Sequence, residues 1–489
     1  MPAAKGIVIF SGGSAANSLV DVFEAVRVNK DCPLSYVIPI SDNGGSSSEL
    51  IRFFGGPGIG DVRSRLVRLI PASPPSPERD AISTLFNHRL SSTSSIEAAE
   101  EWQAIVAGTA ELWHGIPFAK KELIRAFLNT LNMELLKRSR PPTSTFDFTS
   151  ASIGNLFLTG ARLFSGSFES AIYLLSSICS IPDSDVRVIP SISSNFSHHI
   201  AAGLASGETI VGQNNISHPT THTSLAMPPA QIVANGIRSR HSIDHADDLD
   251  VEDANIPGTL PTLRQRNIKF SKEEDEDLPA RIDRIWYINP FGQEMLPPAN
   301  PRALSAVKEA QAIIFSIGSL YTSLIPSIVL RGMGKALRAT SARHKILILN
   351  GCLDREVGPS SQPFSAFDFV EAIARAGEQS REEPWNPDRS VQNSSQHTTQ
   401  SATPSQIPQH EKFLSPDLAS QVAYRVASRN SIYRQYVTHV IHLSGEGTPE
   451  VDREQLASLG IDCLKLYGRK NVKATGMLYD SQALSEKYT

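Results

Sequence analysis

Short apolar runs that end in glycine–serine turns constrain this 489-residue chain more than any other feature. Gly6 to Phe10 runs into Ser11-Gly12-Gly13-Ser14-Ala15. Tyr36 to Ile40 runs into Ser41-Asp42-Asn43-Gly44-Gly45-Ser46-Ser47-Ser48. Ala312 to Ile317 runs into Gly318-Ser319-Leu320-Tyr321-Thr322-Ser323. An apolar run without polar alternation reads as a strand buried on both faces. After the first turn, Leu19, Val22, Phe23 and Val26 recur at helical spacing within 17–28. Strand, tight turn, helix and strand together make a parallel α/β unit.

The same alternation continues. Residues 96–138 and 150–178 read as helical, and 186–216 as strands. Within the latter, HHIAAGLASGETIVGQ predicts a hairpin with Ser206-Gly207-Glu208 at its tip. Strand patterns return at 281–289, 345–350, 437–443 and near 463–467, and helical patterns at 301–311, 321–337 and 414–429. The predicted fold is an α/β, Rossmann-like, doubly wound and mostly parallel sheet with helices on both faces. Two stretches interrupt it. Residues 219–280 are polar and hold the acidic run Lys272 to Asp277; residues 377–412 are rich in Ser, Gln, Thr and Pro. Both are expected to be disordered insertions. They divide the core into 1–218, 281–376 and 413–489.

Composition excludes several classes. Lys and Arg number 46 against 50 Asp and Glu, a net charge of −4, so a dedicated nucleic-acid binder with a basic face is not expected. No apolar stretch approaches the ~18 residues of a membrane span. Ile7 to Phe10 is too short for a signal-peptide core. Cys32, Cys179, Cys352 and Cys463 stand singly, which predicts reduced, mostly buried thiols in a cytoplasmic protein. His198 and His199 are adjacent and would face opposite sides of a strand, and His218 and His222 fall in a polar loop, so no histidine metal site is expected. Neither G-x-G-x-x-G, a P-loop lysine motif, G-x-S-x-G nor H-E-x-x-H occurs.

The chemistry gathers in the turns. Glycines such as Gly12 and Gly13 let backbone N–H groups approach a phosphate. Asp42 brings a hard oxygen ligand suited to Mg²⁺, and Ser46 to Ser48 bring hydroxyls that cap the next helix or donate to an anion. In Gly55-Gly56-Pro57-Gly58-Ile59-Gly60-Asp61-Val62-Arg63-Ser64-Arg65, Asp61 opens a helix. Arg63 and Arg65 point to different faces, so one of them at most meets the same ligand as Asp61. The Gly318 turn opens a helix with Pro326 in its first turn. Each turn also reads as an ordinary capped strand-to-helix connection.

Together the blocks IVIFSGGSAANSL, PISDNGGSSSELIRFFGGPGIGDVRSRLVRL, SIGNLFLTGARL, FSIGSLYTSLIPSIV and LILNGCLDREVG resemble the CofD-like superfamily, in order from residue 6 to 358. That group includes 2-phospho-L-lactate transferase and the YvcK-type gluconeogenesis factor. The resemblance implies a Rossmann-like fold and a homodimer. In the transferase branch it implies transfer of a phospholactyl-type group from a guanosine diphosphate donor to a deazaflavin, with Mg²⁺ and release of GMP. In the other branch it implies a non-catalytic nucleotide-sugar-binding regulator of carbon metabolism. By matching positions, Ser11, Gly12, Gly13 and Ser14 take the family's opening glycine turn, with Ala15 closing it. Asp42 takes the first acid of Asp-Asp-Gly-Gly-Ser and is the implied metal ligand, Asn43 replaces the second, and Gly44, Gly45 and Ser46 follow. Gly60-Asp61-Val62-Arg63 matches Gly-Asp-Ile-Arg, Gly154-Asn155-Leu156 matches Gly-Asn-Leu, and Gly318, Ser319, Thr322 and Ser323 match the last turn, with Ile317 for proline. Asp42 and Asp61 are the implied catalytic acids; Arg63, Asn155 and the turn residues are the implied contacts to a phosphorylated nucleotide-type ligand.

Overall fold

In a computed structural model, residues 5–41, 44–141, 144–218, 260, 263, 277–386, 431–471, 476–480 and 484 are described. Seven strands form one sheet: β1 (Ile7–Phe10), β2 (Leu34–Ile38), β3 (Val186–Pro190), β8 (Ala312–Phe315), β9 (His344–Ile348), β10 (His439–His442) and β11 (Asp462–Lys465). Their order is β11-β10-β9-β8-β1-β2-β3, and every pairing is parallel. The burial follows from composition. All four residues of β1 are buried, and Phe10 stacks on Phe315 of β8 with ring centroids 5.4 Å apart. Helices cover both faces, as the alternation predicts.

The order of the strands places the site. From β1 the chain moves outward to β2 and β3, then returns to the other flank of β1 at β8 and continues outward to β11. The direction reverses between β1 and β8. In open parallel α/β sheets a ligand crevice forms at the carboxyl ends of the strands at such a reversal. Between β2 and β3 lies a long helical excursion that includes α2 (Ser46–Phe54), α3 (Gly60–Arg68) and α7 (Ile153–Ser165). On the far half of the sheet, a hairpin of β12 (Gly468–Lys470) and β13 (Met477–Tyr479) is fastened over the ends of β9 and β10. Met477 N–H donates to Gly351 O at 2.8 Å and the Tyr479 hydroxyl to Leu349 O at 2.7 Å.

Some expectations are corrected. The strand read at 281–289 is β6 (Ile282–Ile288), but it joins a separate antiparallel sheet ordered β5-β4-β6-β7, with β4 (His199–Leu204), β5 (Thr209–Val211) and β7 (Glu294–Met295). Its exposed Asp283 and Arg284 show why: a strand of a parallel sheet is covered on both faces, whereas an antiparallel one can keep a wet side. The 199–211 hairpin forms as read. The helix expected over 321–337 is broken into a π-turn at Leu320–Leu324, a short helix at Ile325–Ile328 and another at Met333–Ala339. Gly332, with φ 93°, marks the second break.

The insertion boundaries also shift. Leu278 and Glu378 are fully buried, so 277–280 and 377–386 belong to the folded body. The polar composition around Glu378 misled because its carboxylate is a buried hub, salt-bridged to Arg338 and accepting from Tyr436. The helix expected at 414–429 and the interiors of both insertions lie outside the described residues. All four cysteines are free; Cys32 and Cys179 are buried, Cys463 is partly buried and Cys352 is exposed, so burial holds for only half of them. Among the described residues no helix is long and apolar enough to cross a membrane.

Candidate functional site

A cleft of about 370 Å³ opens at the carboxyl ends of β1 and β8, where the strand order reverses. Its walls bring together segments that lie hundreds of residues apart. Gly12, Gly13 and Ser14 come from the turn after β1, and Gly44, Gly45 and Ser46 from the entry to α2. Asp61 and Arg63 come from α3, Asn155 from α7, and Gly318, Ser319, Thr322 and Ser323 from the turn after β8. Of the residues singled out in the sequence, Asp42, like Asn43, lies outside the described residues. Ser11 lies beneath the first turn and is fully buried, so it is not a cleft-facing group.

The glycines are needed for close approach. A β-carbon on Gly12 would stand 2.4 Å from Ser323 Oγ, and one on Gly13 would stand 2.1 Å from Asp61 Oδ1. The first turn is therefore wedged between the third turn and α3, and only hydrogen fits. Among the described residues no backbone carbonyl accepts from the N–H groups of Gly12, Gly13 or Ser14. Asn17 Nδ2 donates to Ser64 Oγ at 2.9 Å and ties this segment to α3.

The opposite wall is held by amides and a buried ion pair. Arg63 donates to Asn155 Oδ1 and to Asn87 Oδ1, both at 3.3 Å. Asn155 uses the other end of its amide to donate to Ser46 Oγ at 3.1 Å. One side chain thus brackets α2, α3 and α7, which explains an asparagine at this position. Arg52 grips Glu49 at 2.6 and 2.7 Å within α2, and Glu49 also accepts from Asp147 N–H, so α2 is pinned despite two buried charges. Arg65 is fully buried with its guanidinium 4.6 Å from the centre of the Tyr36 ring, and burial lowers its pKa. Of the two arginines only Arg63 meets the cleft beside Asp61, in keeping with the expectation that one of them at most would.

The third turn differs from expectation in one respect. Thr322 does not offer its hydroxyl to the cleft; it donates to Glu356. Glu356 also accepts from the N–H groups of Tyr321 and Thr322, each at 3.0 Å. A buried carboxylate of the chain already takes these donors. Burial and the neighbouring Asp354 push the Glu356 proton affinity up, against the pull of its three donors. Asn350 completes the brace, accepting from Gly318 N–H at 2.8 Å and donating to Gly318 O at 2.9 Å. Gly318 has φ 143°, which a side chain would strain.

Sequence reasoning missed further lining residues: Arg89, and Gln213, Asn214, Ser217 and His218 of the short helix Gln213–Ser217 and its end. Gln213 accepts from the Ser41 hydroxyl at 3.1 Å. Glu356 and Asn350 fall within the LILNGCLDREVG block, and their place in that block was their only signal. The Gln213 segment carried none, since it reaches the cleft through the antiparallel sheet.

The profile of the family described as 2-phospho-L-lactate transferase CofD matches residues 7–432. The chain belongs to the CofD family. Among relatives of this CofD-family chain, "Uncharacterized protein YNL011C" of Saccharomyces cerevisiae is 42% identical over 366 residues, covering 72% of this chain and 79% of that protein. Two bacterial relatives carry the name "Putative gluconeogenesis factor". The one from Nostoc sp. is 22% identical, covering 89% of this chain and 65% of its own. The one from Thermotoga maritima is 22% identical over 76% of each. The crystal structure of BH3568 from Bacillus halodurans, a member of the UPF0052 family, shares the fold with TM-score 0.54 at 16% identity, over 99% of this chain and 98% of that one.

Proposed function

We propose that this CofD-family protein is a cytoplasmic transferase that moves a phosphorylated carboxylic acid group of the phospholactyl type from a guanosine diphosphate donor to an acceptor hydroxyl, with Mg²⁺. The observation that carries the reading is the convergence of Gly12–Ser14, Gly44–Ser46, Asp61, Arg63 and Gly318–Ser319 on one cleft at the strand reversal. The first-turn N–H groups, which no backbone carbonyl among the described residues engages, and the Arg63 guanidinium suit a diphosphate.

The donor set suits Mg²⁺. Asp61 and the Ser14, Ser46 and Ser319 hydroxyls supply hard oxygens only, and Mg²⁺ sites commonly use one or two carboxylates together with substrate phosphates. Asp42, with the donor's own phosphates, would hold the ion, which supplies neutralisation of phosphate charge. The remaining steps belong to the chain. The turns orient the diphosphate, and Asp61 takes the proton of the acceptor hydroxyl. The acceptor oxygen bonds to the phospholactyl phosphorus, the bond from that phosphorus to the GMP phosphate oxygen breaks, and GMP leaves with the electron pair. Positioning and charge stabilisation dominate such transfers.

The test is GMP release from guanylylated phospholactate with a deazaflavin acceptor and Mg²⁺. Asp61→Asn is expected to slow release by about 100-fold or more, the usual range for a positioned general base. Release at the wild-type rate overturns the assignment. A second reading, a nucleotide-sugar-binding regulator, is favoured by the amide wall of Gln213 and Asn214, which suits sugar hydroxyls. Tight binding of UDP-N-acetylglucosamine without turnover of any donor would select it.

A further inference from the structure

Arg65 packs over the Tyr36 ring and does not line the cleft, yet its side-chain hydrogen bonds all go to the cleft's first turn and to Ala16 just after it. Its Nη2 donates to Gly12 O at 3.3 Å and to Ser11 Oγ at 3.4 Å, and its Nη1 to Ala16 O at 3.4 Å. Nε has no partner among the described residues. These bonds are long for a guanidinium, whose charge-assisted bonds usually measure about 2.7–2.9 Å. Arg52, the other deeply buried arginine near this wall, grips a carboxylate at 2.6 Å. Arg65 has no salt bridge to any acid among the described residues; Asp61 attracts it only through space, and a buried cation without a directly paired counter-ion is costly.

The contacts also give the turn a polarity. Arg65 draws the carbonyls of Gly12 and Ala16 and the hydroxyl of Ser11 toward itself from beneath. Among the described residues no backbone carbonyl engages the N–H groups of Gly12, Gly13 and Ser14. The Gly12 carbonyl and the Gly13 N–H are two ends of one peptide group. A cation on the oxygen strengthens the N–H as a donor.

We propose that Arg65 is the buried counter-charge and positioning residue of an anion subsite formed by the N–H groups of Gly12, Gly13 and Ser14, whose occupant is a phosphate group with net negative charge. Arg65 acts through the Gly12–Gly13 peptide and touches no ligand itself. That the phosphate belongs to a guanosine nucleotide rests on the function proposed above; the subsite itself does not.

The experiment measures binding to the full chain by calorimetry and melting temperature, with GDP, pyrophosphate and uncharged guanosine as probes. Arg65→Met is expected to weaken GDP at least about tenfold, the effect of losing one charge-assisted interaction, and to leave guanosine unchanged. Its melting temperature without ligand is expected to change little, because relief of a buried charge with no directly paired acid offsets the loss of three long hydrogen bonds. Pyrophosphate is expected to raise the melting temperature of the wild type but not of Arg65→Met. Arg65→Lys keeps the charge but lacks the planar fork, so its loss for GDP is expected to be smaller than that of Arg65→Met but not absent; it carries the comparison if Arg65→Met does not fold. A parallel fall for GDP and guanosine, or a large fall in melting temperature with GDP affinity intact, would show a mere strut and overturn the proposal. If pyrophosphate acts as expected while GDP does not bind, the subsite stands and the guanosine reading falls. If neither stabilises the wild type, the proposal is overturned.

Discussion

Replacing Gly12 by alanine probes how tightly the cleft is assembled. The new methyl would stand 2.4 Å from Ser323 Oγ and 2.8 Å from Ser323 Cβ, against 3.3 Å from Asp61 Oδ2. Carbon atoms rest about 3.5–4.0 Å apart, so the Cβ contact alone demands a shift of about 0.7 Å. Rotating the Ser323 hydroxyl relieves the first clash. It cannot relieve the second, because Cβ moves only with the π-turn, and Glu356 and Asn350 hold that turn. Overpacking of this kind costs about 1–3 kcal/mol. Urea unfolding of Gly12→Ala, Ser323→Ala, Ser323→Gly and the two double variants measures it. The combination with Ser323→Gly is expected to recover about 1 kcal/mol or more of coupling, the usual scale for residues in contact, and that with Ser323→Ala clearly less, since the β-carbon remains. Equal recovery in both doubles, or no loss in Gly12→Ala alone, would refute the wedge.

Other perturbations have defined outcomes. Glu356→Ala leaves two buried N–H groups and a hydroxyl without an acceptor, so urea unfolding is expected to show a loss of about 3 kcal/mol or more, at roughly 1–3 kcal/mol for each group. Asn350→Ala is expected to cost about 1–3 kcal/mol by the same measurement and to weaken GDP in calorimetry, because Gly318 loses both its bonds. Burial lowers Lys345 from 10.5 to about 8. Between those values the unfolded chain holds the extra proton, so this group makes stability rise with pH through that window, by about 3 kcal/mol. Lys345→Met is expected to lack that rise in urea titrations at pH 8 and 10.5.

Much of this architecture can be read from residue order. The apolar runs of β1, β2 and β8 announce strands covered on both faces, and the turns after β1 and β8 fall on the cleft because parallel strands share one carboxyl edge. Asp61 and Arg63 meet there because the first turn of α3 lies against the Gly12–Gly13 turn at that edge. Long-range packing hides the rest. Nothing local distinguishes Ser11, which Arg65 draws inward, from Ser14, which faces the cleft. The Thr322 hydroxyl looks available until Glu356 arrives from 34 residues away. β6 has an ordinary strand pattern, and its exposed Asp283 and Arg284 are the one local sign that it lies outside the parallel sheet.

The central place of β1 shapes how the molecule is made. Its two neighbours are β2, which follows it closely, and β8, which begins at residue 312. Once β3 has emerged, β1, β2 and β3 can pair, but β1 still presents one bare edge of Ile7, Val8, Ile9 and Phe10. About 120 further residues separate the end of β3 from β8, so at about 5–20 residues per second the ribosome leaves that edge open for on the order of ten seconds. An unpaired apolar strand is a template for wrong partners. The nascent chain therefore depends on the helices after β2, or on a chaperone, to shield β1 until its last neighbour is synthesised.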